Sequence, residues 1–542
     1  MLDYKWVLIM KSINKNIKFK IFAVILIIIL CIAITPITFQ NDTYYTIKIG
    51  EHIQKYGIDM MDPYSWHKGL SYTYPHWLYD LLTYKIYLHF GFMGIYIATC
   101  LLSCILGLSI FFVNNKLSKS KIISFCITVG TIYLLKDFIA ARAQLVTFIL
   151  FILALYFIEK FLESKNVKYA IGIILISILI ANLHVAVWLF LFILFLPYIG
   201  EYVVYKIISN EYKEKLLLLK IKLFKKKSKK YQDELEKINI NKTEKIDKIK
   251  NSYKIKISKN DNIKWLIIIM LICAFTGLLT PLGDTPYTYL IKTLLGNTTQ
   301  NINEHLPMVL SREPATLCTI IIFLVVLMFK KTRIKLCDLF MISGLALLMI
   351  LSVRQLSMFS LIGSTILSKI IVELITSYDN DPFINVFKRI IKPFVIIGMI
   401  LLVGWITYDN IKIKYNDKFV DETEYPVKAC DYILKNIDLK NAKFYNEYGY
   451  GSYMIYRGIP VFIDSRADLY TPEFNGAKND IFTDYVESED IVVFYGDIFK
   501  KYDITHVILS SKSKINVIIS GEKNQKYHEI YKDNNFVIYE IK

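Results

Sequence analysis

The chain is 542 residues long and 54% hydrophobic, carries a formal net charge of +18, and has a positive mean hydropathy. That composition excludes an ordinary soluble protein and calls for many membrane spans. The charge is segregated, which excludes nucleic acid as its partner: residues 207–262 hold 17 Lys against 8 acidic residues, net +9, whereas the stretch from Asp409 to the end holds 18 Lys and Arg against 22 acidic residues, net −4.

A hydrocarbon core takes about 20 mostly apolar residues per helix. Eleven stretches are predicted to span, near 20–40, 92–113, 121–141, 143–162, 168–183, 184–206, 263–281, 314–330, 335–353, 355–373 and 391–408. The first is expected to stay as an anchor, because Thr35-Pro-Ile-Thr-Phe offers no small-residue cleavage site. Basic segments mark the cytoplasmic side. Lys11, Lys15, Lys18 and Lys20, the 116–121 turn, the 207–262 insertion, 330–335 and 388–392 all fall there under one assignment. The N-terminus is then inside and the acidic C-terminal region outside. Enrichment in Ile, Lys, Asn and Tyr resembles the usage of an AT-rich bacterial genome, so the expected setting is a bacterial cell membrane. Seven of the eight cysteines lie in or beside spans and only Cys430 lies in the tail, so neither a disulfide framework nor a zinc spacing is present.

The fold class read from this pattern is a polytopic α-helical membrane protein, residues 1–408, with a C-terminal extracytoplasmic α/β domain, 409–542. The first outer loop, 41–90, holds two amphipathic helices expected to lie in the interface plane. In one, Asn41 or Asp42 is placed to cap, Tyr45, Ile49, Ile53 and Tyr56 share a face, and Gly57 ends it. The other opens at Pro75 and stops near Gly91. The 207–262 insertion reads as a charged cytoplasmic segment lying on anionic lipid.

Several ionisable residues fall at the outer level. Asp42 sits where the first span leaves the bilayer, either as a helix-capping charge or as a base or metal ligand. Asp137 lies near the outer end of the third predicted span with Arg142 following; either the two pair, or Asp137 faces a cavity. Glu304 and His305 occupy the outer loop before Pro307. Arg354, between two spans and against the positive-inside tendency, needs a carboxylate or a phosphate as partner. Asn182 and His184 flank two spans and either line the cavity or hydrogen-bond between helices. Trp66, Tyr72, Tyr74, Trp77 and Tyr79 suit interfacial anchoring or stacking on sugars.

Together these positions resemble the GT-C class of membrane glycosyltransferases, most specifically the catalytic subunit of oligosaccharyltransferase. Asp42-Thr-Tyr-Tyr resembles its outer-loop aspartate motif, and Asn301-Ile-Asn-Glu304-His305-Leu-Pro307 its Glu-His loop. Arg354-Gln-Leu-Ser-Met-Phe-Ser resembles the arginine that holds the lipid phosphate, and Tyr445-Asn-Glu447-Tyr448-Gly the acceptor element of the outer domain. The resemblance implies Asp42 as catalytic residue, Asp42, Asp137 and Glu304 as ligands of a divalent cation (Mg2+ or Mn2+), and Arg354 as the donor phosphate-binding group. His305, Asn182, His184, Glu447 and Tyr448 are then substrate-binding. The departures are two. Tyr445, Asn446 and Glu447 replace the family's Trp-Trp-Asp, and Ile139 stands where the second loop carries an acidic residue two positions after Asp137.

What the resemblance implies is therefore transfer of a sugar or glycan from a polyprenyl-phosphate-linked donor to an acceptor other than a protein sequon: a glycolipid, a wall polymer or another envelope protein. The rivals are a non-catalytic envelope protein, for which Asp42 and Arg354 are dispensable, and a transporter of lipid-linked glycan, whose inverted repeats the sequence does not show.

Overall fold

The computed structural model describes residues 2–209, 218, 231–237, 254–476, 479–521 and 526–542; most of the basic 207–262 insertion lies outside the described residues. Among these, six helices are long and apolar enough to cross a membrane: Ile17–Ile34, Trp77–Ser118, Ala143–Ser164, Val185–Ile208, Val353–Thr376 and Ile384–Lys414. Shorter apolar helices occupy Lys121–Leu134, Val167–Leu183, Ile263–Leu278, Pro314–Met328 and Leu336–Leu351. The six long helices coincide with six of the stretches predicted to span, and the other five stretches lie on the shorter ones.

Burial divides the helices by role. The Ile384–Lys414 helix turns Phe394, Leu401 and Trp405 outward, as a helix facing hydrocarbon does. The Leu356–Thr376 helix is buried along most of its length. Its Ser364 and Ser368 hydroxyls donate back to the carbonyls of Leu361 (2.7 Å) and Thr365 (2.9 Å), and Thr365 donates to Asn114 Oδ1 (2.8 Å) across the bundle. Small polar residues satisfied in this way let helices approach closely in lipid. At the end opposite the outer loops, half-buried Lys369 lies between Asp338 (2.6 Å) and Glu159 (3.0 Å), which answers the cost of an ionised group at membrane depth.

The first outer loop folds as two helical pieces in contact. The Asn41–Tyr56 helix ends at Gly57, whose φ of +81° suits glycine, with its N–H on the Ile53 carbonyl (3.0 Å). The second outer helix and the span after it form one run, Trp77–Ser118, broken at Gly91. Gly50 allows the two helices to touch, because a Cβ there would strike the carbonyl of Asp80. Two expectations change. Gln40, not Asn41 or Asp42, occupies the cap position and makes no side-chain cap bond, so Asp42 falls in the first turn. Tyr56 is exposed, while Tyr45, Ile49 and Ile53 are buried against the C-terminal region rather than turned to lipid.

The C-terminal region is built on a four-stranded sheet: β1 (Phe444–Tyr445), β2 (His506–Ser510), β3 (Tyr527–Lys532) and β4 (Phe536–Ile541), in the order β1-β2-β4-β3. β1 runs parallel to β2, and the β2–β4 and β4–β3 pairs are antiparallel. The first outer loop packs onto it. Trp66 donates its indole N–H to the Phe444 carbonyl (2.9 Å), and Tyr44 meets Tyr425 and Tyr453 edge-on at 4.9 and 5.1 Å between ring centroids. Tyr72, Tyr74 and Tyr79 are buried. The loop aromatics are core between two outer pieces, not an interfacial belt.

One ionic lock joins those pieces. Arg466 reaches Asp62 of the first loop at 2.7 Å and Asp464 at 2.8 Å, all three side chains being sealed from solvent, and its guanidinium sits 5.1 Å over the Tyr72 ring. Removing one partner of such a group strands buried charge, at a cost of about 3–5 kcal/mol. Arg466→Met should therefore lower the thermal midpoint of the solubilised protein sharply; an unchanged midpoint would mean the lock is not structural.

Glu447 is a further ionisable group turned into this interior. Burial pushes its carboxyl up to about 7, partly offset by the Ser510 backbone N–H, which donates to it at 3.3 Å. A folded pKa above the unfolded one contributes stability that is complete below the unfolded value and lost as pH rises through the folded value. Glu447→Gln cannot ionise. Its advantage in thermal midpoint over wild type should grow between pH 4.5 and 7 and then level off; a gap constant across that range would contradict this placement.

Candidate functional site

Three chain segments meet at the outer lip of the bundle. Asp42 lies in the first turn of the Asn41–Tyr56 helix, where the helix dipole favours a negative charge. Arg142 occupies the cap position before the Ala143–Ser164 helix in extended backbone (φ −133°, ψ 153°). Glu304 lies in the 3-10 turn Asn303–His305. The Arg142 guanidinium joins the two carboxylates, with Nη2 at 2.5 Å from Asp42 Oδ2 and Nη1 at 3.4 Å from Glu304 Oε1. Of the two readings of Asp137, pairing with Arg142 is not realised. Asp137 is exposed in the Lys136–Phe138 turn, and its side chain makes no hydrogen bond or ion pair among the described residues.

Backbone bonds fix the approach. Thr43 donates its hydroxyl to the Ala141 carbonyl (3.4 Å), tying the Asp42 helix to the short connection that carries Arg142. The Glu304 turn is stitched to the segment that carries Arg354: Ser352 Oγ donates to the Glu304 carbonyl (3.2 Å), Val353 N–H to Leu306 (3.0 Å), and Met308 N–H to Ile350 (3.0 Å). The preceding loop docks on the C-terminal region, with Tyr289 donating to Asp468 (2.6 Å) and Asn297 to Asp480 (2.7 Å).

Arg354 stands in the Val353–Gln355 turn, half-buried, and its guanidinium has no hydrogen bond or ion pair among the described residues. Its charge is felt nearby. Burial works against ionisation of Glu304, but the guanidiniums of Arg142 and then Arg354 hold its carboxyl below the usual glutamate range. Burial, and next the Arg354 charge, push the His305 imidazole below the ordinary histidine range, so it is neutral at neutral pH. Asp42, Arg142, Glu304, His305 and Arg354 thus form one electrostatically linked group.

The remaining expected residues lie around it in different roles. His184 is buried and its Nδ1 meets Thr147 Oγ1 at 2.9 Å. Asn182 spends its amide on the carbonyls of Ile178 (2.9 Å) and Leu279 (3.0 Å), the helix-bonding role. Tyr448 lies beside the site, with its carbonyl accepting from Asn41 Nδ2 (2.9 Å). Glu447 points instead to Ser510. Asn446, sealed from solvent, bonds the Ile463 carbonyl (2.7 Å) and the Phe462 N–H (2.9 Å).

Sequence reasoning missed two features. One is Arg142 as the hub, although it is a cation at the outer level and invites the argument applied to Arg354. The other is His76, whose Nδ1 meets fully buried Asp80 at 3.0 Å, whose Nε2 meets the Tyr45 hydroxyl at 3.3 Å, and whose ring lies 5.8 Å from that of His184. The His-x-x-x-Asp spacing at a helix start was the available signal.

The three residues expected as metal ligands are not placed to share one coordination site. Asp42 and Glu304 both face the Arg142 guanidinium, Asp137 stands apart, and among the described residues no three His, Cys, Asp or Glu side chains gather as a metal-holding group.

No protein-family model and no curated protein sequence matches the chain. Among solved structures, the apo oligosaccharyltransferase of Archaeoglobus fulgidus matches with a TM-score of 0.56 at 11% identity, over 96% of this chain and 74% of that one. ArnT from Cupriavidus metallidurans, bound to undecaprenyl phosphate, matches with a TM-score of 0.50 at 9% identity, over 97% of this chain and 98% of that one. Identity this low speaks for the fold alone: the chain shares the overall architecture of these two structures.

Proposed function

We propose that the chain is an integral-membrane glycosyltransferase that moves a sugar or glycan from a polyprenyl-phosphate-type lipid donor to an envelope acceptor, with inversion at the anomeric carbon. The observation that carries this reading is the meeting of Asp42, Arg142 and Glu304 beside an Arg354 that has no hydrogen bond or ion pair among the described residues, on a fold shared with such enzymes. ArnT, one of the structural neighbours, was solved with undecaprenyl phosphate, which supports a donor of that class here. All eleven apolar helices then cross a bacterial cell membrane, with the N-terminus cytoplasmic and the sheet-bearing region outside.

In this mechanism the lipid tail lies among the spans and the phosphate on Arg354, whose planar fork suits bidentate recognition of phosphate oxygens. An acceptor hydroxyl or amine attacks the anomeric carbon from the face opposite the phosphate. Its proton passes to Asp42 as the new bond forms. The carbon–oxygen bond to phosphate breaks, and the polyprenyl phosphate leaves with the electron pair. Charge developing on that phosphate is what a fixed guanidinium stabilises. Neutral His305 and the Tyr448 element border the acceptor. The commitment of Asn446 and Glu447 to internal bonds supports an acceptor other than a protein sequon.

A deletion strain rescued with wild type, Asp42→Asn or Arg354→Ala, with mass spectrometry of its glycolipids, wall polymers and surface glycoproteins, tests the proposal. A glycan absent from the deletion should return with wild type and fall by about 10²-fold or more with Asp42→Asn, the size of a lost general base. Arg354→Ala should give the same loss and leave lipid-linked donor to accumulate. Full rescue by both variants at equal expression would remove the proposed chemistry.

A further inference from the structure

A divalent cation at this site needs oxygen ligands at about 2.0–2.2 Å, one or two of them carboxylates that face the ion. Two of the three carboxylates expected for it are already joined, and what joins them is an arginine: Asp42 at 2.5 Å and Glu304 at 3.4 Å from the Arg142 guanidinium. The third, Asp137, is exposed and apart. Arg142 is not a side chain that has strayed into the gap. Its backbone N–H bonds the Ala140 carbonyl (2.8 Å), the neighbouring Ala141 carbonyl accepts from Thr43 one residue beyond Asp42 (3.4 Å), and its own residue starts the Ala143–Ser164 helix. A planar guanidinium fork is suited to bridging two carboxylates.

Charge balance points the same way. Asp42 and Glu304 carry two negative charges, and Arg142 and Arg354 carry two positive ones. The two carboxylates of the expected set are thus already neutralised by guanidinium charge, while Arg354, with no ion pair among the described residues, is left for a phosphate. The donor set expected for Mg2+ or Mn2+ therefore does not fit this arrangement.

Building on the glycosyl-transfer reading above, we propose that Arg142 takes the place of the divalent cation, so that Asp42 and Glu304 hold a guanidinium and the reaction runs without a bound metal. Arg142 is a positioning residue. It fixes the Asp42 carboxylate toward the acceptor and anchors the Glu304 turn, to which the Arg354 segment is stitched. The leaving phosphate is met by Arg354.

Mn2+ itself is the probe, titrated into purified full-length protein in zwitterionic-lipid nanodiscs and followed by the room-temperature EPR signal of the free aqua ion. Wild type should bind no more Mn2+ than Asp42→Asn/Glu304→Gln. Binding by wild type of about one Mn2+ per chain beyond that variant would overturn the proposal. Glu304→Gln alone gives the same comparison where the double variant does not fold. The titration needs no substrate. A chain that transfers no glycan would end the functional reading, while the Mn2+ comparison still decides what Asp42 and Glu304 hold.

Discussion

An ionised group at the edge of a hydrocarbon layer is costly unless it is paired, and the outer face of this protein is organised by how its arginines meet that requirement. Arg142 draws together the start of the first-loop helix, the entry to a membrane helix and a turn 162 residues further along the chain. Arg466 does the equivalent one layer out, clasping Asp62 and Asp464 where no solvent reaches. Arg354 has no such partner among the described residues, and in the proposed reaction its charge is left for the lipid phosphate.

That arrangement explains why the outer pieces pack so tightly. A site assembled from separated segments at a membrane surface holds its geometry only if each segment is braced. The first loop is braced by tyrosine and tryptophan contacts to the sheet-bearing region, the Glu304 loop by Tyr289–Asp468 and Asn297–Asp480, and the Arg354 turn by the Glu304 loop. Side chains that carry charge-transfer chemistry need positions fixed by neighbours whose own polar groups are satisfied.

Much of this was legible in the sequence. Hydropathy placed the apolar helices because lipid demands long uninterrupted apolar runs, and Gly57 and Gly91 marked breaks that the backbone realises at positive φ. Asp42, Glu304 and Arg354 were picked out because charge on the outer side of a membrane protein is conspicuous. What a period in the sequence cannot report is which surface covers an apolar face. The Tyr45–Ile49–Ile53 stripe was read as turned to lipid and is instead covered by protein, as are Tyr72 and Tyr74. Nor can spacing choose among charged partners. Asp137 is near Arg142 in sequence, but a helix end and a turn direct it elsewhere, and long-range folding supplies Asp42 and Glu304.

The central claim is that a lipid phosphate sits at the Arg354 end of this group. A polyprenyl phosphate carrying a photoreactive group beside its phosphate, activated on the full-length protein in nanodiscs and mapped by peptide mass spectrometry, tests it directly. The account predicts saturable labelling on the segments around Glu304–Met308 and Ile350–Ser357, competed away by unlabelled polyprenyl phosphate. Saturable labelling confined to other segments, or labelling that the competitor leaves untouched, would contradict it.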